Sequence, residues 1–381
     1  MKRKHIPYGS QWIDEADITA VAKVMRGHWL TQGPAIERFE KKVAAYCGAA
    51  YGVAVANGTV ALHAAYAVAG IGPGDEVITT PLTFAATANA VVYCGGKPVF
   101  ADIEEHTLNI DPREVEKKIT SRTKAVAPVD FAGHPAEYDE IRKIAKKHKL
   151  LVIEDAAHAL GSVYRGRKIG SLADMTIFSF HPVKTLTTGE GGMVLTNNKN
   201  FAEKLKMFRH HGIEKKPEKG GWYYEIENLG YNYRITDIQC ALGESQFKKL
   251  SAFLARRREI VRQYTNAFAG IPALILPQEK PYVQAAYHIY VVQFRLELLG
   301  ADRKTLFEKL QEKGIGVQVH YMPLHLHPFY QKTFGYKKGD FPRAERYYER
   351  ALTLPLFPKM TDKEVKYVIR GVQKLVEQYQ K

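Results

Sequence analysis

Cysteine is scarce in this chain, with three residues in 381. Cys47, Cys94 and Cys240 are far apart and odd in number, so they form neither a metal-binding motif nor a disulfide framework. A protein without disulfides suits a reducing compartment. We therefore expect a cytoplasmic protein without a metal site.

Long apolar runs are also missing, since no stretch approaches the length of a membrane span. Residues 1–9 are basic, but no apolar stretch follows them, so we do not expect a secretory signal. These two features predict that the protein neither crosses a membrane nor binds to one.

Acidic residues are too few to balance the basic ones, and the formal net charge is +15. This charge leaves nucleic-acid binding open. The densest basic cluster, residues 256–258, falls in a helix-like stretch from about 244 to 268, where a solvated helix face is the simpler interpretation. No helix-turn-helix, zinc-finger or RNA-binding signature is present, so we expect no nucleic-acid partner. A basic surface would also suit a sugar-nucleotide diphosphate.

Between about residues 50 and 200, short apolar runs alternate with helical stretches. Such alternation predicts a mostly parallel sheet with helices on both sides, and nearly continuous apolar strands fit a sheet that is buried on both faces. The runs predict seven strands, at 52–56, 76–80, 98–102, 125–129, 151–154, 175–180 and 193–196. Helices are predicted at 59–69, 83–93 and 137–148.

The pattern changes after about residue 245. Strands are predicted at 289–295 and 316–321, and helices at 304–312 and 363–380. We therefore expect an α/β domain over residues 1–245 and a smaller α+β domain over residues 246–381.

Polar residues follow three of the predicted strands, where ligands bind in open α/β sheets. Asn57, Gly58 and Thr59 come after the first strand and open a helix, so they can form an anion site, although an ordinary turn with a helix cap has the same residues. Asp155 and His158 follow a later strand. A buried capping aspartate with a core histidine is the alternative there.

Lys184 lies 29 residues after Asp155, past the next apolar strand and before a glycine-rich turn. Spacing alone does not exclude a surface lysine in a polar loop. Together, however, a lysine for an aldehyde, a carboxylate for a pyridine nitrogen and an anion site for a phosphate are what pyridoxal 5'-phosphate (PLP) requires. The three clusters therefore predict a PLP site.

The same segments resemble the DegT/DnrJ/EryC1/StrS sugar aminotransferase family. The resemblance implies the fold type I architecture of PLP-dependent transferases, with a large domain that holds a mostly parallel seven-stranded sheet and a smaller α+β domain. It runs through nearly the whole chain, in the segments 29–34, 57–62, 80–89, 155–158, 179–192, 230–239 and 319–325.

The resemblance implies a role for each of several residues. Lys184 would bind the cofactor aldehyde, and Asp155 would pair with the pyridine nitrogen. The other residues implied to hold the cofactor are Gly58, Thr59, Phe84, His158, Ser179 and Asn232. Those implied to line the sugar-nucleotide cleft are Thr31, Gly33, Arg234, His320 and Tyr321. No role is assigned to His181.

Asn232 has a special place among these residues. It lies 48 residues after Lys184, so the local chain does not require it to approach its own lysine. One interpretation is a helix-cap asparagine. The resemblance instead implies that Asn232 contacts the cofactor phosphate of a neighbouring subunit, which makes a homodimer with shared active sites the expected assembly.

Four segments, 80–84, 129–133, 158–162 and 209–213, resemble one branch of the family, the aminotransferase of pseudaminic acid biosynthesis. That branch aminates C4 of a UDP-4-keto-6-deoxy-N-acetyl-L-altrosamine type sugar with L-glutamate as the donor. Departures around Asp155, such as Glu154, leave other 4-keto or 3-keto sugar nucleotides open, of the perosamine, aminoarabinose or bacillosamine type.

Two other functions are compatible with the family. Its 3-dehydratases carry histidine where this chain has Lys184. A PLP-binding regulator without catalysis would be expected to lose Lys184 or Asp155, and this chain retains both. We therefore expect an aminotransferase.

Overall fold

The computed structural model describes residues 5–381, so the basic residues 1–4, part of the expectation about a secretory signal, lie outside the described residues. The helices are α1 (Glu15–Met25), α2 (Pro34–Cys47), α3 (Gly58–Val68), α4 (Ala85–Tyr93), α5 (Pro112–Lys117), α6 (Tyr138–His148), α7 (Lys199–Phe208), α8 (Asp237–Lys248), α9 (Leu250–Phe268), α10 (Arg303–Glu312), α11 (Pro328–Phe334), α12 (Pro342–Arg350) and α13 (Asp362–Tyr379). The strands are β1 (Tyr51–Val55), β2 (Glu76–Thr79), β3 (Lys97–Phe100), β4 (Thr123–Ala127), β5 (Leu151–Asp155), β6 (Val163–Tyr164), β7 (Arg167–Lys168), β8 (Met175–Ser179), β9 (Gly192–Thr196), β10 (Ile213–Lys215), β11 (Tyr224–Ile226), β12 (Leu274–Ile275), β13 (Val283–Gln284), β14 (Tyr290–Phe294) and β15 (Ala351–Leu354).

The central sheet has seven strands in the order β1-β9-β8-β5-β4-β2-β3. The neighbours from β8 to β3 are parallel, whereas β9 runs antiparallel to both β8 and β1. The seven predicted strands and the mostly parallel sheet are therefore confirmed. Only the precise ends of the strands differ from the prediction.

Both faces of the sheet are covered. Side chains alternate along a strand, so neighbouring residues enter different cores. In β5, Val152 joins the core that includes α2 and α6, while Ile153 joins the core beneath α3 and α7. The amphipathic helix α6 covers one face with its apolar side: Tyr138, Ile141 and Ala145 are buried, while the lysines of the helix, Lys143, Lys146 and Lys147, are exposed. The structure is the α/β sandwich that the sequence predicts.

The C-terminal part has its own apolar core around a three-stranded sheet, in the order β12-β14-β15, with α9, α10 and α13 packed against it. Helix α9 contacts both cores, because Leu254 belongs to the first and Ile260 to the second. Ile6, near the other end of the chain, also packs into the C-terminal core.

The predicted strand at 316–321 is wrong. The segment makes only isolated bridges, from Ile315 to Ile6 and from Gln318 to Thr353. Gly316 donates its amide to the carbonyl of Ile6 at 2.7 Å, whereas Gln318 pairs with Thr353 of β15. Because the segment divides its hydrogen bonds between two partners, it forms no continuous ladder.

The interpretation of residues 256–258 as a solvated helix face is also wrong. The predicted helix is two helices, α8 and α9, separated at Lys249. Arg257 is 1% exposed and donates to the carbonyls of His288 and Leu356, each at 3.0 Å, while Arg258 donates to the carbonyl of Ala285. Arg257 and Arg258 therefore tie α9 to nearby backbone.

Among residues 5–381, no helix is both long and apolar enough to cross a lipid bilayer.

Candidate active site

A cavity of about 450 Å³ opens beyond the carboxyl ends of β5 and β8, beside the first turn of α3. In open α/β sheets this is where ligands bind. Nine of the residues predicted for the site line the cavity: Gly58, Thr59, Phe84, Asp155, His158, Ser179, Lys184, His320 and Tyr321. Segments spread over 260 residues of sequence are thus brought to one place.

Lys184 lies in the turn that follows β8, where its amide donates to the carbonyl of His181 at 2.9 Å. Its side chain points into the cavity. Burial lowers the pKa of Lys184 to about 8, although the nearby Asp155 carboxylate opposes this shift. The amine is therefore neutral, and so nucleophilic, in a larger fraction of molecules near neutral pH than an exposed lysine would be. A surface lysine in a polar loop is excluded.

Asp155 ends β5 and is 5% exposed. Its Oδ2 accepts a hydrogen bond from Thr87 Oγ1 at 2.6 Å, and its Oδ1 accepts one from the amide of Ala157 at 3.1 Å. Thr83 Oγ1 lies 2.7 Å from Thr87 Oγ1 and extends this chain of hydroxyls. Burial raises the pKa of Asp155, whereas these bonds and Lys184 lower it, so the ionised form depends on its donors.

Three histidines form the opposite wall. The rings of His158 and His288 are tilted against each other with centroids 4.3 Å apart, and His158 Nε2 lies 3.3 Å from the Tyr321 hydroxyl. His320 Nδ1 lies 2.8 Å from Thr353 Oγ1. Burial lowers the pKa of all three, that of His320 to about 4, so neutral imidazoles face Lys184.

The start of α3 offers a place for an anion. Asn57 caps the helix by accepting from the Val60 amide at 3.0 Å, and the other first-turn amides have no acceptor within the helix. A Cβ at Gly58 would stand 3.0 Å from Ser179 Cβ, so glycine permits the helix to approach the Ser179 hydroxyl. Phosphate fits such a position.

The residues present therefore fit PLP. They provide a desolvated amine, a buried carboxylate and an anion cradle in one cavity, and the Nδ1 of His158 is buried without a hydrogen-bond partner among the described residues. Such an atom is suited to an acceptor or donor on a bound ligand.

Four predicted residues do not line this cavity. Thr31 bridges to Thr236, and Gly33 donates its amide to Asp237 Oδ2 at 2.7 Å. Asn232 bridges to His210, and Arg234 Nη1 donates to His210 Nδ1 at 2.7 Å.

The helix-cap interpretation of Asn232 is wrong, because Thr236 caps α8. Asn232 and Arg234 are therefore neither cap residues of α8 nor part of the lining of the cavity in their own chain.

Sequence reasoning missed four residues that the structure brings to the site. Tyr8, Glu190 and His288 line the cavity, and Thr87 holds Asp155. Thr87 lies one helical turn after Thr83 in a segment already singled out, which is a signal that spacing offered. His288 lies more than 100 residues from Lys184, and nothing local in the sequence marks it.

A family model agrees with this geometry. Residues 11–373 match the DegT/DnrJ/EryC1/StrS aminotransferase family. The chain belongs to that family. Spore coat polysaccharide biosynthesis protein SpsC of Bacillus subtilis is 45% identical over 383 residues, which cover 99% of this chain and 98% of SpsC. The UDP-4-amino-4,6-dideoxy-N-acetyl-beta-L-altrosamine transaminase of Campylobacter jejuni strain 81-176 is 40% identical and 99% of each chain is covered.

Solved structures give the same result. Helicobacter pylori PseC, an aminotransferase of pseudaminic acid biosynthesis, superposes with a TM-score of 0.93 at 34% identity and covers 98% of this chain and 100% of its own. Spr1654 of Streptococcus pneumoniae has a PLP form with a TM-score of 0.93 and a PMP form with 0.94, both at 32% identity; they cover 98% of this chain and 99% of their own.

The family, the fold and the cofactor are therefore confirmed. The protein is a PLP-dependent sugar aminotransferase with the fold of PLP-dependent transferases.

Substitution of Thr87 tests whether its hydroxyl keeps the Asp155 carboxyl ionised. A hydrogen bond to a charged group contributes about 1.5–3 kcal/mol, and one pKa unit corresponds to about 1.4 kcal/mol. Loss of the Thr87 hydroxyl destabilises the carboxylate and raises the pKa of Asp155. We therefore expect Thr87→Val to move the acidic limb of the pH–activity profile upward by about one unit, whereas Thr87→Ser leaves it in place. Identical acidic limbs in the two variants would show that Thr87 does not control the carboxylate.

Proposed function

We propose that this enzyme transfers an amino group from L-glutamate to C4 of a UDP-linked 4-keto-6-deoxy-N-acetylhexosamine of the L-altrosamine type, as in pseudaminic acid biosynthesis. The main support for transamination is that Lys184, which is desolvated, lies in the same cavity as Asp155. The substrate rests on 40% identity along 99% of the chain to a transaminase named for the corresponding amino sugar.

Bound PLP supplies an aldehyde for covalent attachment and a ring that accepts electrons from the carbon beside it. In our proposal Asp155 binds the pyridine nitrogen and stays ionised because Thr87 and Ala157 donate to it. Gly58, Thr59 and Ser179 hold the phosphate at the start of α3. Phe84 covers one face of the ring, and His158 meets the phenolic oxygen through a neutral imidazole.

Lys184 also moves the proton in this proposal. Near pH 8 the Nζ of Lys184 is neutral in a large fraction of the molecules. This neutral amine accepts a proton from the carbon that carries the donor's amino group. In the second half of the reaction it returns a proton to C4 of the sugar. A lysine that kept its ordinary pKa would be protonated and could not act as this base.

The sugar is expected to occupy the outer part of the cavity, between Tyr8, His320 and Tyr321. The Tyr8 and His320 rings lie 5.5 Å apart, and those of Phe84 and Tyr321 lie 6.1 Å apart. The aromatic and imidazole groups there can pack against a pyranose and donate to its hydroxyls. A cavity of about 450 Å³ would be largely filled by cofactor and sugar, so the nucleotide is expected to lie outside it.

A second candidate substrate is the keto sugar nucleotide of another polysaccharide. The observation in favour of this second substrate is the 45% identity to SpsC, which is a spore coat polysaccharide biosynthesis protein. The reaction class would be unchanged, and Lys184 and Asp155 would have the same roles.

A panel of keto sugar nucleotides separates these candidates. We expect kcat/KM to be highest for the UDP-linked L-altrosamine-type 4-keto sugar, with glutamate consumed and a 4-amino sugar identified by mass and proton NMR. A higher kcat/KM for a GDP- or dTDP-linked sugar would overturn the proposed substrate. The aminotransferase assignment would stand in that case.

We further propose that the enzyme is a homodimer in which each site contains residues of both chains. Asn232, Arg234, Thr31 and Gly33 lie outside the cavity of their own chain, although the family resemblance assigns them to cofactor or nucleotide. The neighbouring hairpin of β10 and β11 and the segment after it expose large apolar side chains, with Trp222 83% and Leu229 77% exposed. Exposed apolar surface beside residues without a ligand supports a partner chain at this face.

Mixed dimers test this arrangement. Lys184→Ala lacks the reactive amine, and Asn232→Ala would lack the phosphate donor from the partner. In a mixed dimer one site carries both defects and the other neither, so we expect about half of the wild-type activity per dimer, measured on heterodimers purified through two tags. The Asn232→Ala homodimer must first be shown to be inactive. Inactive heterodimers would place Asn232 outside the partner's site.

The compartment and the domain division stay proposals. Cys47, Cys94 and Cys240 are free thiols, which supports the reducing cytosol. The separate C-terminal core supports a division near residue 245.

A further inference from the structure

Two carboxyl groups lie buried directly behind Asp155. Glu154 precedes it in β5 and, because side chains alternate along a strand, points to the other face of the sheet. Asp130 follows β4, the neighbouring strand. Glu154 and Asp130 are both 0% exposed. Neither group belongs to the cavity that holds Lys184.

Only one oxygen of each of these two carboxyl groups accepts a hydrogen bond from the described residues. Asp130 Oδ1 accepts from the Ala136 amide at 2.9 Å and from the Tyr138 hydroxyl at 2.8 Å. Glu154 Oε2 accepts from Thr176 Oγ1 at 2.5 Å. Asp130 Oδ2 and Glu154 Oε1 have no donor among the described residues, although the two carboxyls are within hydrogen-bonding reach of each other.

An ionised carboxylate can only accept hydrogen bonds. Two ionised carboxylates in contact, both without access to water, would combine a large desolvation cost with mutual repulsion. A proton between the two remaining oxygens removes both problems. It gives each oxygen a partner and leaves one negative charge on the pair.

Among residues 5–381, the main groups that interact with the pair carry no positive charge. They are Tyr138 of α6, Asp155 of β5 and Cys47 of α2, all of them acids, and the neutral Thr176 of β8. Burial and the charge of Glu154 raise the pKa of Asp130 well above its usual range. Burial also raises the pKa of Glu154, and accepted hydrogen bonds lower the pKa of both groups, so burial favours a proton on the pair.

The pair lies where it can hold the catalytic carboxylate. The Asp130 amide donates to the Asp155 carbonyl at 3.1 Å, and the Asp155 amide donates to the Pro128 carbonyl at 2.9 Å. We propose that Asp130 and Glu154 share one proton at neutral pH, held between Asp130 Oδ2 and Glu154 Oε1, and that this pair is a positioning device that fixes Asp155 at the ends of β4 and β5.

Infrared spectroscopy tests the proton directly. A protonated carboxyl has a carbonyl stretching band separate from that of a carboxylate. We expect this band at pH 7 in the whole protein and its loss in Asp130→Asn. Glu154→Gln should lose it too, because the new amide donates to an ionised Asp130. Glu140→Gln, an exposed change on α6, is the matched control and should keep the band.

The pH dependence of unfolding gives a second readout. A carboxyl whose pKa is higher in the folded than in the unfolded protein binds a proton on folding, so its contribution falls as the pH rises above the ordinary aspartate value of about 3.9. The asparagine amide mimics the protonated acid at every pH. Between pH 5 and 7, the folding equilibrium constant of the wild type should therefore fall relative to Asp130→Asn by up to about tenfold per pH unit, measured in urea at fixed protein concentration.

Cofactor binding tests the positioning role. Asp130→Leu leaves Glu154 Oε1 without a hydrogen-bond donor, so we expect this variant to bind PLP more weakly than Asp130→Asn, measured by fluorescence titration. Equal affinities would remove the positioning role. A wild-type spectrum without the acid band, or parallel pH profiles for wild type and Asp130→Asn, would overturn the shared proton. The wild-type and Glu154→Gln spectra decide the matter even if an Asp130 variant does not fold.

Discussion

Removal of one lysine amine from water is the constraint on which the rest of the structure depends. Lys184 has an ordinary place in the sequence, in a polar loop after a strand, and the reactivity that we propose for it depends on the cavity, which desolvates it and lowers its pKa to about 8. The sheet, the first turn of α3 and the wall of neutral histidines all contribute to that environment. Asp155 then offsets part of the desolvation, and it must itself be held as an anion by Thr87 and Ala157.

Electrostatic states in the site are set by what surrounds each group. On the cavity side of β5, hydroxyl and amide donors favour an ionised Asp155. On the other side, the main described neighbours of Asp130 and Glu154 are acids and neutral groups, which favours a shared proton. A single strand thus presents two neighbouring carboxyls, Glu154 and Asp155, to opposite environments. The alternation of side chains along a strand makes this separation possible within one peptide unit.

Much of this arrangement follows from local sequence. Apolar runs predicted the seven strands because a sheet covered on both faces leaves few polar residues in its strands, and parallel strands bring Gly58, Asp155 and Ser179 to one edge. Local patterns failed where partners are distant. The segment 316–321 resembled a strand but bonds to Ile6 and β15, and Arg257 resembled a surface residue but lies under backbone carbonyls from two later segments. His288 reaches His158 only through packing of the C-terminal part, which no spacing reveals.

The central claim is that Lys184 is the residue that binds the cofactor. The most direct measurement is to load the protein with PLP, reduce it with borohydride, digest it and map the added mass by tandem mass spectrometry. We expect one modified peptide, with the cofactor mass on Lys184, and loss of that peptide in Lys184→Ala but not in the exposed control Lys199→Ala. The cofactor mass on a different lysine of the native protein would show that Lys184 is not the residue that binds PLP.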